Sequence, residues 1–502
     1  MLKSAGKVYD IRDYGAVPDG RTLATEAFAL AIDDCAQAGG GTVYVPGGRF
    51  LTGPICLRSN LTLHLEAGAY VMFSQDAADY PVIQSRWEGE VCPVYTPQIY
   101  GKGLRNVAIV GRGVCDGQGS PWWRLYQDQA LDYPRPRLLS LEDCADICIE
   151  GIHLCNSPSW TVHPLRCQKV VIDGISIENP PDSPNTDGID PDSCQNVHIS
   201  NCHIDVGDDC IAIKSGTERC VPKLPCENIV ISNCTMVRGH GGVVIGSEMS
   251  GGVRNVAITN CIFEGTDRGI RLKTRRGRGG PVEDIRVSNI IMRQVMTPFV
   301  IHMFYNCGAG GKDASVGDRN FHPVSETTPI LRRVHFSNIS VRAAGAAAGF
   351  IYGLPEMPVS GITFDNINIE MAPDAEPAYP AMMDGIEPMR QRGFYCCNVK
   401  DVLFRNVTIN GHQGAAFENH AAVDMEFAGC QTGRTDGDEP FISLHKVQKT
   451  FIHGCKVSES QPIFVEINGP ETREVRLFGN AVRRLEERVR FANGALPDTV
   501  EF

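Results

Sequence analysis

A short pattern of alternating apolar and polar residues recurs along most of this 502-residue chain. The clearest copies are QNVHISNCHI, ENIVISNCTM, RNVAITNCIF, EDIRVSNIIM, RRVHFSNISV, SGITFDNINI and KDVLFRNVTI, with weaker copies on both sides. We count thirteen copies from about residue 105 to 483, most of them 23 to 32 residues apart. Alternation with a period of two residues is typical of a half-buried β-strand. A strand that recurs at this spacing predicts a solenoid and excludes a helical repeat.

One position in every copy is either asparagine or glycine. The thirteen residues are Gly111, Gly151, Gly174, Asn201, Asn233, Asn260, Asn289, Asn338, Asn366, Asn406, Gly429, Gly454 and Gly479. Because Asn and Gly adopt positive φ at low cost, we predict a left-handed corner at each of them. The next position mostly holds Ile, Val or Cys, so the cysteines there are predicted to be reduced thiols in the core. One such corner in each repeat predicts an all-β fold, a parallel β-helix whose coils stack about 4.8 Å apart.

One amphipathic helix is predicted within TLATEAFALAIDDCAQAGGG, residues 22–41, where it would form a short cap over the N-terminal end of the solenoid. The whole chain is therefore predicted to be a single β-helix domain. Its predicted divisions within 1–502 are a cap and first coils at about 8–100, repeated coils at about 101–485 and a C-terminal tail at 486–502. Longer gaps near residues 306–330 and 370–398 predict loops that project from the coils.

Charge and hydropathy narrow the classes of partner. A formal net charge of -12 argues against a nucleic-acid partner. No stretch approaches the roughly eighteen apolar residues of a membrane span, and the first residues, MLKSAGKVYDIRDYGA, lack the apolar run of a signal peptide. We therefore expect no membrane association and a cytoplasmic location, where the twenty cysteines would stay reduced. Composition carries no signal for the oligomeric state.

Four segments that follow the corners of successive coils align with one another. They are TDGIDPDS from Thr186, DDCIAIKS from Asp208, HGGVVIGS from His240 and DRGIRLKT from Asp267. Two apolar stacks are predicted to face the core, Ile189, Ile211, Val243 and Ile270 in one and Pro191, Ile213, Ile245 and Leu272 in the other. The polar residues brought near one face are Asp187, Asp208, Asp209, His240, Arg271 and Lys273. Carboxylates stacked about one strand spacing apart are costly unless they serve chemistry, so this face is the candidate active site.

The segments NTDGID, GDDCIAIKSG, GHGGVVIGSE and GIRLK, in this order, resemble the four signature motifs of the polygalacturonases, glycoside hydrolase family 28. The N-terminal segments DYGAVPDG, GGGTVYVPGGRF and DGQGSPWW resemble the first coils of the same family, and the resemblance covers roughly residues 8 to 480. It implies a right-handed parallel β-helix and an inverting hydrolase without a metal or cofactor. The implied partner is a galacturonate-containing oligo- or polysaccharide, cleaved at α-1,4-galacturonosidic bonds.

The resemblance also implies a role for each motif residue. Asp208 is expected to protonate the leaving oxygen, and Asp187 with Asp209 to hold the attacking water. Gly207 must then bend the chain, because neighbouring residues of a regular strand face opposite ways. His240 is expected to hydrogen-bond Asp208. The expected substrate-binding residues are Arg271, Lys273, Asn185, Lys214 and Tyr305. The segment TRRGRGG, which begins after Lys273, is expected to be a flexible basic loop.

Three alternatives stay open. Pectate lyases share the β-helix and the substrate, but their calcium site and arginine base fit an Asp-Asp pair with His less well than hydrolysis does. A noncatalytic carbohydrate-binding solenoid would tolerate the loss of any carboxylate, and none of the expected ones is missing. Rhamnogalacturonan or other substituted-pectin hydrolases share the aspartates. Within the family, IGSEMSGG and RLKTRRGRGG resemble the exo-acting bacterial branch, so we expect attack from a chain end, with the long inserts closing one end of the groove.

Overall fold

The computed structural model divides the chain into two compact units, Met1–His240 and Gly241–Phe502. The structure describes residues 7–308, 310–433, 439–457, 462–482 and 487–502. Nearly all of the regular secondary structure in both units is β-strand, and apart from one antiparallel hairpin the strands pair in parallel with those of neighbouring coils. This pairing is the one that the period-two repeat predicts. Among the described residues, no helix is both long and apolar enough to cross a membrane.

The described residues of the first unit form twenty-three strands and two α-helices. The strands are β1 Val8–Asp10, β2 Asp19–Leu23, β3 Gly41–Val45, β4 Gly48–Thr52, β5 Ile55–Cys56, β6 Leu61–Leu65, β7 Ala69–Phe73, β8 Val82–Trp87, β9 Glu90–Tyr95, β10 Ile99–Lys102, β11 Arg105–Gly111, β12 Val114–Asp116, β13 Leu139–Glu142, β14 Ala145–Glu150, β15 His153–Cys155, β16 Val162–Leu165, β17 Gln168–Asp173, β18 Ser176–Glu178, β19 Gln195–Ser200, β20 His203–Val206, β21 Asp209–Ile213, β22 Cys226–Ser232 and β23 Thr235–Arg238. The helices are α1 Thr25–Gln37 and α2 Ser120–Gln127, and short 3-10 turns occupy Ile11–Tyr14 and Ala77–Asp79.

The second unit continues the same pattern. Its strands are β24 Gly241–Ile245, β25 Val253–Thr259, β26 Ile262–Glu264, β27 Arg268–Lys273, β28 Pro281–Arg293, β29 Thr297–His302, β30 Ile330–Ala344, β31 Ala347–Tyr352, β32 Val359–Met371, β33 Arg392–Cys397, β34 Val399–Asn410, β35 Gln413–His420, β36 Val423–Ala428, β37 Gln431–Thr432, β38 Pro440–His445, β39 Gln448–His453, β40 Ile463–Asn468, β41 Arg473–Phe478, β42 Glu487–Ala492 and β43 Val500–Glu501. One α-helical turn, α3, spans Ala314–Gly317, and a 3-10 turn spans Pro497–Thr499.

The predicted left-handed corners are confirmed at all thirteen positions, where φ lies between 52° and 127°. Asparagines at these corners also form a ladder along the coils. In the second unit, Asn289 donates to Asn260 at 3.3 Å, Asn338 to Asn289 at 3.4 Å and Asn366 to Asn338 at 2.8 Å. The side chain therefore does two things here, since it tolerates positive φ and hydrogen-bonds the equivalent residue one coil away.

A second column of left-handed residues was not predicted. It lies at the second residue of each repeat copy, where φ is 55° to 64°. Its members are Asn106, Asp146, Lys169, Asn196, Asn228, Asn255, Asp284, Arg333, Gly361, Asp401, Asp424, Lys449 and Glu474. Several of these side chains have no intrinsic preference for positive φ, so the coil geometry imposes the conformation on them.

The core positions of the repeat agree with the prediction. In the second unit the rings of Phe336, Phe364, Phe404 and Phe427 stack from coil to coil, with centroids 4.9 to 5.4 Å apart. All twenty cysteines are free thiols. The cysteines at the predicted core register are buried, and burial raises the pKa of the Cys430 thiol, for example.

The predicted cap is helix α1, which packs its apolar face against the first strands. The buried residues of α1 are Ala27, Phe28, Ala31, Ile32 and Cys35. The other end of the chain differs from the prediction. Residues within the expected C-terminal tail form β42 and β43, which pair in parallel with β40 and β41. These residues therefore add a further coil to the ladder.

Candidate active site

Three carboxylates of the first unit meet at the start of β21. Asp187, Asp208 and Asp209 each place an oxygen within 4.8 Å of the others. The predicted core register brings them together, because Ile189 pairs with Ile211 in the neighbouring coil. Asp187 and Asp209 are buried, whereas the Asp208 side chain keeps 21% of its surface exposed. The one carboxylate that reaches solvent is therefore the predicted acid.

Gly207 provides the chain path that lets two consecutive aspartates serve one cluster. A Cβ atom at this position would lie 2.5 Å from the carbonyl oxygen of Ser183 and 2.7 Å from that of Pro180. The backbone of Asp209 then donates to Asp208 Oδ1 at 2.9 Å. The close approach excludes any larger residue, which confirms that glycine is needed here, although its φ is not in the left-handed region.

The cluster contains a fourth carboxylate and one cation. Lys214 Nζ lies 3.9 Å from Asp187 Oδ2 and 3.7 Å from Asp190 Oδ1. Burial and the neighbouring carboxylates of Asp190 and Asp208 raise the pKa of Asp187 well above its usual range, and Lys214 opposes this shift. Burial likewise raises the pKa of Asp190 to about 7. The raised pKa values therefore belong to two buried carboxyl groups of the cluster.

Asp190 was not among the predicted site residues. Its side chain is fully buried, and neither carboxylate oxygen has a hydrogen-bond partner among the residues that the structure describes. The sequence carried a signal for it, because the second aspartate of NTDGID falls in a polar column of the aligned segments. Lys214, predicted as a substrate-binding residue, is placed here as the counter-charge of the buried aspartates.

Two further predicted residues, His240 and Asn185, have different partners. His240 Nδ1 is 3.2 Å from Asp208 Oδ1, so the predicted contact with the acid is present, and half of the imidazole is exposed. Asn185 instead accepts a hydrogen bond from Arg135 Nη2 at 2.7 Å. Arg135 is buried and also donates to the carbonyl oxygens of Pro158 and Pro184. The side-chain oxygen of Asn185 is thus occupied by the Arg135 guanidinium.

An antiparallel hairpin, β8 and β9, contacts the coil that carries Asp187 and was not predicted. Arg86 of this hairpin forms a buried ion pair with Asp192 at 2.7 Å and contacts Ser193 Oγ at 2.9 Å. Burial alone would raise the pKa of Asp192, but Arg86 and His163 hold it below its usual range. The hairpin turn is fixed as well, because Gly89 accepts hydrogen bonds from Thr217 and Cys220.

Aromatic rings and cations hold the hairpin over the rungs that precede the cluster. Trp87 stacks on Trp160 with ring centroids 5.4 Å apart and an interplanar angle of 11°. The Arg137 guanidinium lies 5.2 Å from both ring centroids and donates to the carbonyl oxygen of Arg86. On the cluster side, Lys214 Nζ is 4.7 Å from the Trp160 ring centroid. Hairpin and carboxylate cluster are thus linked through one indole ring.

The second unit carries the predicted basic strand, β27. Arg271 and Lys273 alternate with Ile270 and Leu272, which confirms their register. Although the two side chains lie in an outward-facing register, only 1% of Arg271 and 6% of Lys273 is exposed. The ring centroid of Tyr305 lies 5.1 Å from Lys273 Nζ and 5.8 Å from Arg271 Cζ. The structure therefore brings these three predicted residues together, in a covered site.

The segment TRRGRGG is not a flexible loop, and in this respect the prediction was wrong. Its arginines, Arg275, Arg276 and Arg278, are buried. Arg276 donates to Glu356 through Nε at 2.6 Å and Nη2 at 3.0 Å, and it also donates to the carbonyl oxygens of Ser315 and Asn320. A carboxylate and carbonyl groups distant in the sequence therefore hold the Arg276 guanidinium in place.

The two long inserts of the second unit fold back over this basic region. The first supplies the carbonyl oxygens that Arg276 contacts. The second supplies those of Tyr379 and Pro380, to which Arg268 donates at 2.8 and 3.3 Å. Asn306 Nδ2 of the first insert donates to Asp384 Oδ1 of the second at 2.5 Å. This cover explains the low exposure of β27.

Comparison with known proteins agrees with this geometry. The protein-family model Glycosyl hydrolases family 28 matches residues 35–379. A "Probable polygalacturonase" of Vitis vinifera is 37% identical over 376 residues, which cover 72% of this chain and 74% of that protein. An "Endo-polygalacturonase" of Pectobacterium carotovorum subsp. carotovorum is 30% identical over 333 residues, which cover 61% of this chain and 78% of that protein.

Solved structures with the same fold include two exopolygalacturonases. The hyperthermoactive enzyme of Thermotoga maritima superposes with a TM-score of 0.66 at 32% identity, covering 73% of this chain and 87% of that one. The family 28 exopolygalacturonase of Yersinia enterocolitica superposes with a TM-score of 0.70 at 21% identity, covering 86% and 79% of the two chains, and supports the fold alone. The predicted right-handed parallel β-helix is confirmed.

Proposed function

This chain belongs to the glycosyl hydrolases family 28, and from this we propose that it is an exo-acting polygalacturonase. Membership makes it a glycoside hydrolase with polygalacturonate as its substrate class. We propose further that it cleaves α-1,4-galacturonosidic bonds with inversion, starting from one end of the polymer or of oligogalacturonides. The observation that carries the proposal is the group of three carboxylates within 4.8 Å of one another, with only Asp208 reaching solvent.

Each carboxylate has a distinct role in this proposal. Asp208, the exposed member, donates its proton to the leaving glycosidic oxygen, and His240 at 3.2 Å orients it. Asp187 and Asp209 hold a water between them, and one of them accepts the proton of that water as its oxygen attacks the anomeric carbon. Lys214 favours the ionised form of Asp187, which a base requires, against the effect of burial. We propose that Arg271 and Lys273 bind substrate carboxylates.

The hairpin supports attack from a chain end. The outward-facing side chains of β13 and β16, among them Ser140, Glu142 and His163, alternate with core residues and are nevertheless buried. Arg86 and Trp87 of the hairpin contact Asp192 and Trp160, and both of these residues contact His163 of this face. A sugar chain cannot pass over rungs that are already covered. We therefore place the wall of the groove at this hairpin, on the N-terminal side of the carboxylates, rather than at the long inserts.

We also propose that the enzyme works on short oligogalacturonides in the cytoplasm. Support comes from the twenty free thiols, most of them buried at core positions, because such thiols persist where the compartment is reducing. Short oligomers suit a groove with one closed end, because such a groove binds only chain ends and short oligomers present more ends for the same mass of sugar.

The first test of the proposed function is a timed digest of polygalacturonate. Monogalacturonate should accumulate from the first minutes while the viscosity of the polymer falls slowly, because a closed groove admits only chain ends. Chromatography and viscometry measure both quantities. Proton NMR of the first product should show the β-anomer. The anomer must be measured directly, because the nearest carboxylate oxygens of Asp187, Asp208 and Asp209 lie closer than the roughly 6.5–9.5 Å typical of inverting pairs. Early mixed oligomers with a rapid fall in viscosity would refute exo action, and cleavage of rhamnogalacturonan alone would favour the substituted-pectin alternative.

A second prediction concerns the hairpin. Trp87→Ala removes the ring that stacks on Trp160 and should loosen the wall, so internal cleavage becomes possible. We expect the fall in viscosity per reducing end released to rise several-fold and the share of monogalacturonate to drop. Val91→Ala, at an exposed position of the same hairpin, is the matched control and should leave the product pattern unchanged. A folded, active Trp87→Ala enzyme with wild-type products would remove the hairpin from this role.

A further inference from the structure

His302 is a fully buried imidazole with no hydrogen-bond partner. It is the last residue of β29 and pairs in register with Lys273 of β27. None of its surface is exposed, and neither ring nitrogen has a partner among the residues that the structure describes. Buried polar groups are hydrogen-bonded in the great majority of cases, because an unpaired one costs free energy. An orphaned imidazole at this position therefore needs an explanation.

The surroundings of His302 are the covered basic site. Its ring centroid lies 6.2 Å from that of Tyr305, whose ring also faces Lys273 and Arg271. Burial lowers the pKa of His302 well below its usual range, and the charges of Arg271, Lys273 and Arg268 lower it further. The ring is neutral, so one nitrogen is a donor and the other an acceptor.

A structural role does not require histidine here. The next two strands place Tyr352 and Cys397 at the equivalent position, so this column tolerates residues of different polarity. Where the same unit buries a histidine for structure, it supplies partners. His412 Nδ1 lies 2.9 Å from the carbonyl oxygen of Gly414, and its Nε2 lies 2.9 Å from Thr432 Oγ1. His302 lacks such partners and borders the cations proposed to bind substrate.

We propose that His302 is a specificity-determining residue of the uronate site. Its neutral imidazole hydrogen-bonds a ring hydroxyl of the sugar whose carboxylate Arg271 and Lys273 bind. A neutral imidazole suits a hydroxyl group, since it can donate to the oxygen or accept its proton. The two cations would read the acid group and His302 the hydroxyl pattern of the same sugar. This inference rests on the proposed function, because it assumes that a uronate occupies the site.

The test separates stability from substrate binding. His302→Leu should raise the melting temperature or leave it unchanged, because it removes an unpaired buried polar group. In the Asp208→Asn background, the same change should weaken trigalacturonate binding, measured by calorimetry. In the enzyme with Asp208 intact, it should lower kcat/KM about tenfold. His302→Asn keeps a donor and an acceptor and should recover part of the affinity. The control His412→Leu should lower the melting temperature and leave trigalacturonate binding unchanged.

The outcomes distinguish the inference from its premise. A wild-type enzyme that neither binds nor cleaves oligogalacturonides would overturn the proposed function. A wild-type enzyme that does both, with His302→Leu binding equally well, would overturn the role of His302 alone. A lower melting temperature for His302→Leu with unchanged kinetics would assign the residue to structure. If His302→Leu does not fold, His302→Phe takes its place, because it also lacks hydrogen-bonding groups, and wild-type affinity in that variant would overturn the role of His302.

Discussion

Asp208→Asn should lower turnover on polygalacturonate at least ~100-fold while the fold and the affinity for substrate stay close to those of the wild type. The amide keeps the shape of the side chain but cannot donate the proton that the leaving oxygen needs. Asp208 is the carboxylate that reaches solvent in a cluster whose other members are buried. Initial rates, circular dichroism and calorimetric titration with trigalacturonate measure the three quantities.

The control for Asp208 is Asp182→Asn, which changes the same functional group at an exposed position of the preceding coil. It should retain wild-type turnover. Turnover above about a tenth of the wild-type value in Asp208→Asn would remove this residue from the role of acid, because general acid catalysis is typically worth ~100-fold or more. His240 would then need to be examined as the proton donor, since it lies 3.2 Å from Asp208.

Arg271→Met and Lys273→Met should each lower kcat/KM on polygalacturonate by roughly 30-fold. Each removes a charge-assisted contact with a substrate carboxylate, which contributes about 2 kcal/mol. The loss should be much smaller on methyl-esterified substrate, which has no carboxylate to bind at esterified positions. Paired assays on free and esterified polymer measure the difference. Equal losses on both substrates would show that these residues do not recognise the acid group.

The exposed Lys400 is the matched control for this pair. Lys400→Met removes the same charge from the second unit and should leave kcat/KM unchanged on both substrates. The melting temperatures of all three variants should be compared, because Arg271 and Lys273 are buried. If the loss of activity correlated with a lower melting temperature and did not depend on esterification of the substrate, these residues would serve packing and not substrate recognition.

The fold was predictable from the sequence because its signals are local. Positive φ at the thirteen corners follows from the preferences of Asn and Gly, and strand register follows from the alternating pattern. The second left-handed column was missed because residues such as Lys169, Arg333 and Glu474 do not prefer this conformation. There the stacked coils impose the backbone, and no single side chain signals it.

The candidate site was predictable where it repeats with the coils and unpredictable where other segments fold onto it. The aligned columns placed Asp187 beside Asp209, and the structure has them together. The hairpin that brings Arg86 to Asp192 joins residues 106 positions apart, and nothing in the repeat marks that contact. TRRGRGG was expected to be flexible, but Glu356, 80 positions from Arg276, pairs with that arginine and helps to fix the segment.

The asparagine ladder shows how this architecture can change without losing its fold. Neighbouring rungs at Asn260, Asn289, Asn338 and Asn366 are separated by 29, 49 and 28 residues, yet the hydrogen bonds between them remain 2.8 to 3.4 Å long. Extra residues are accommodated between corners and leave the stacked strands in register. Evolution can therefore lengthen or exchange a loop over the basic strand in a single insertion event, and substrate preference can diverge among relatives while the scaffold is inherited unchanged.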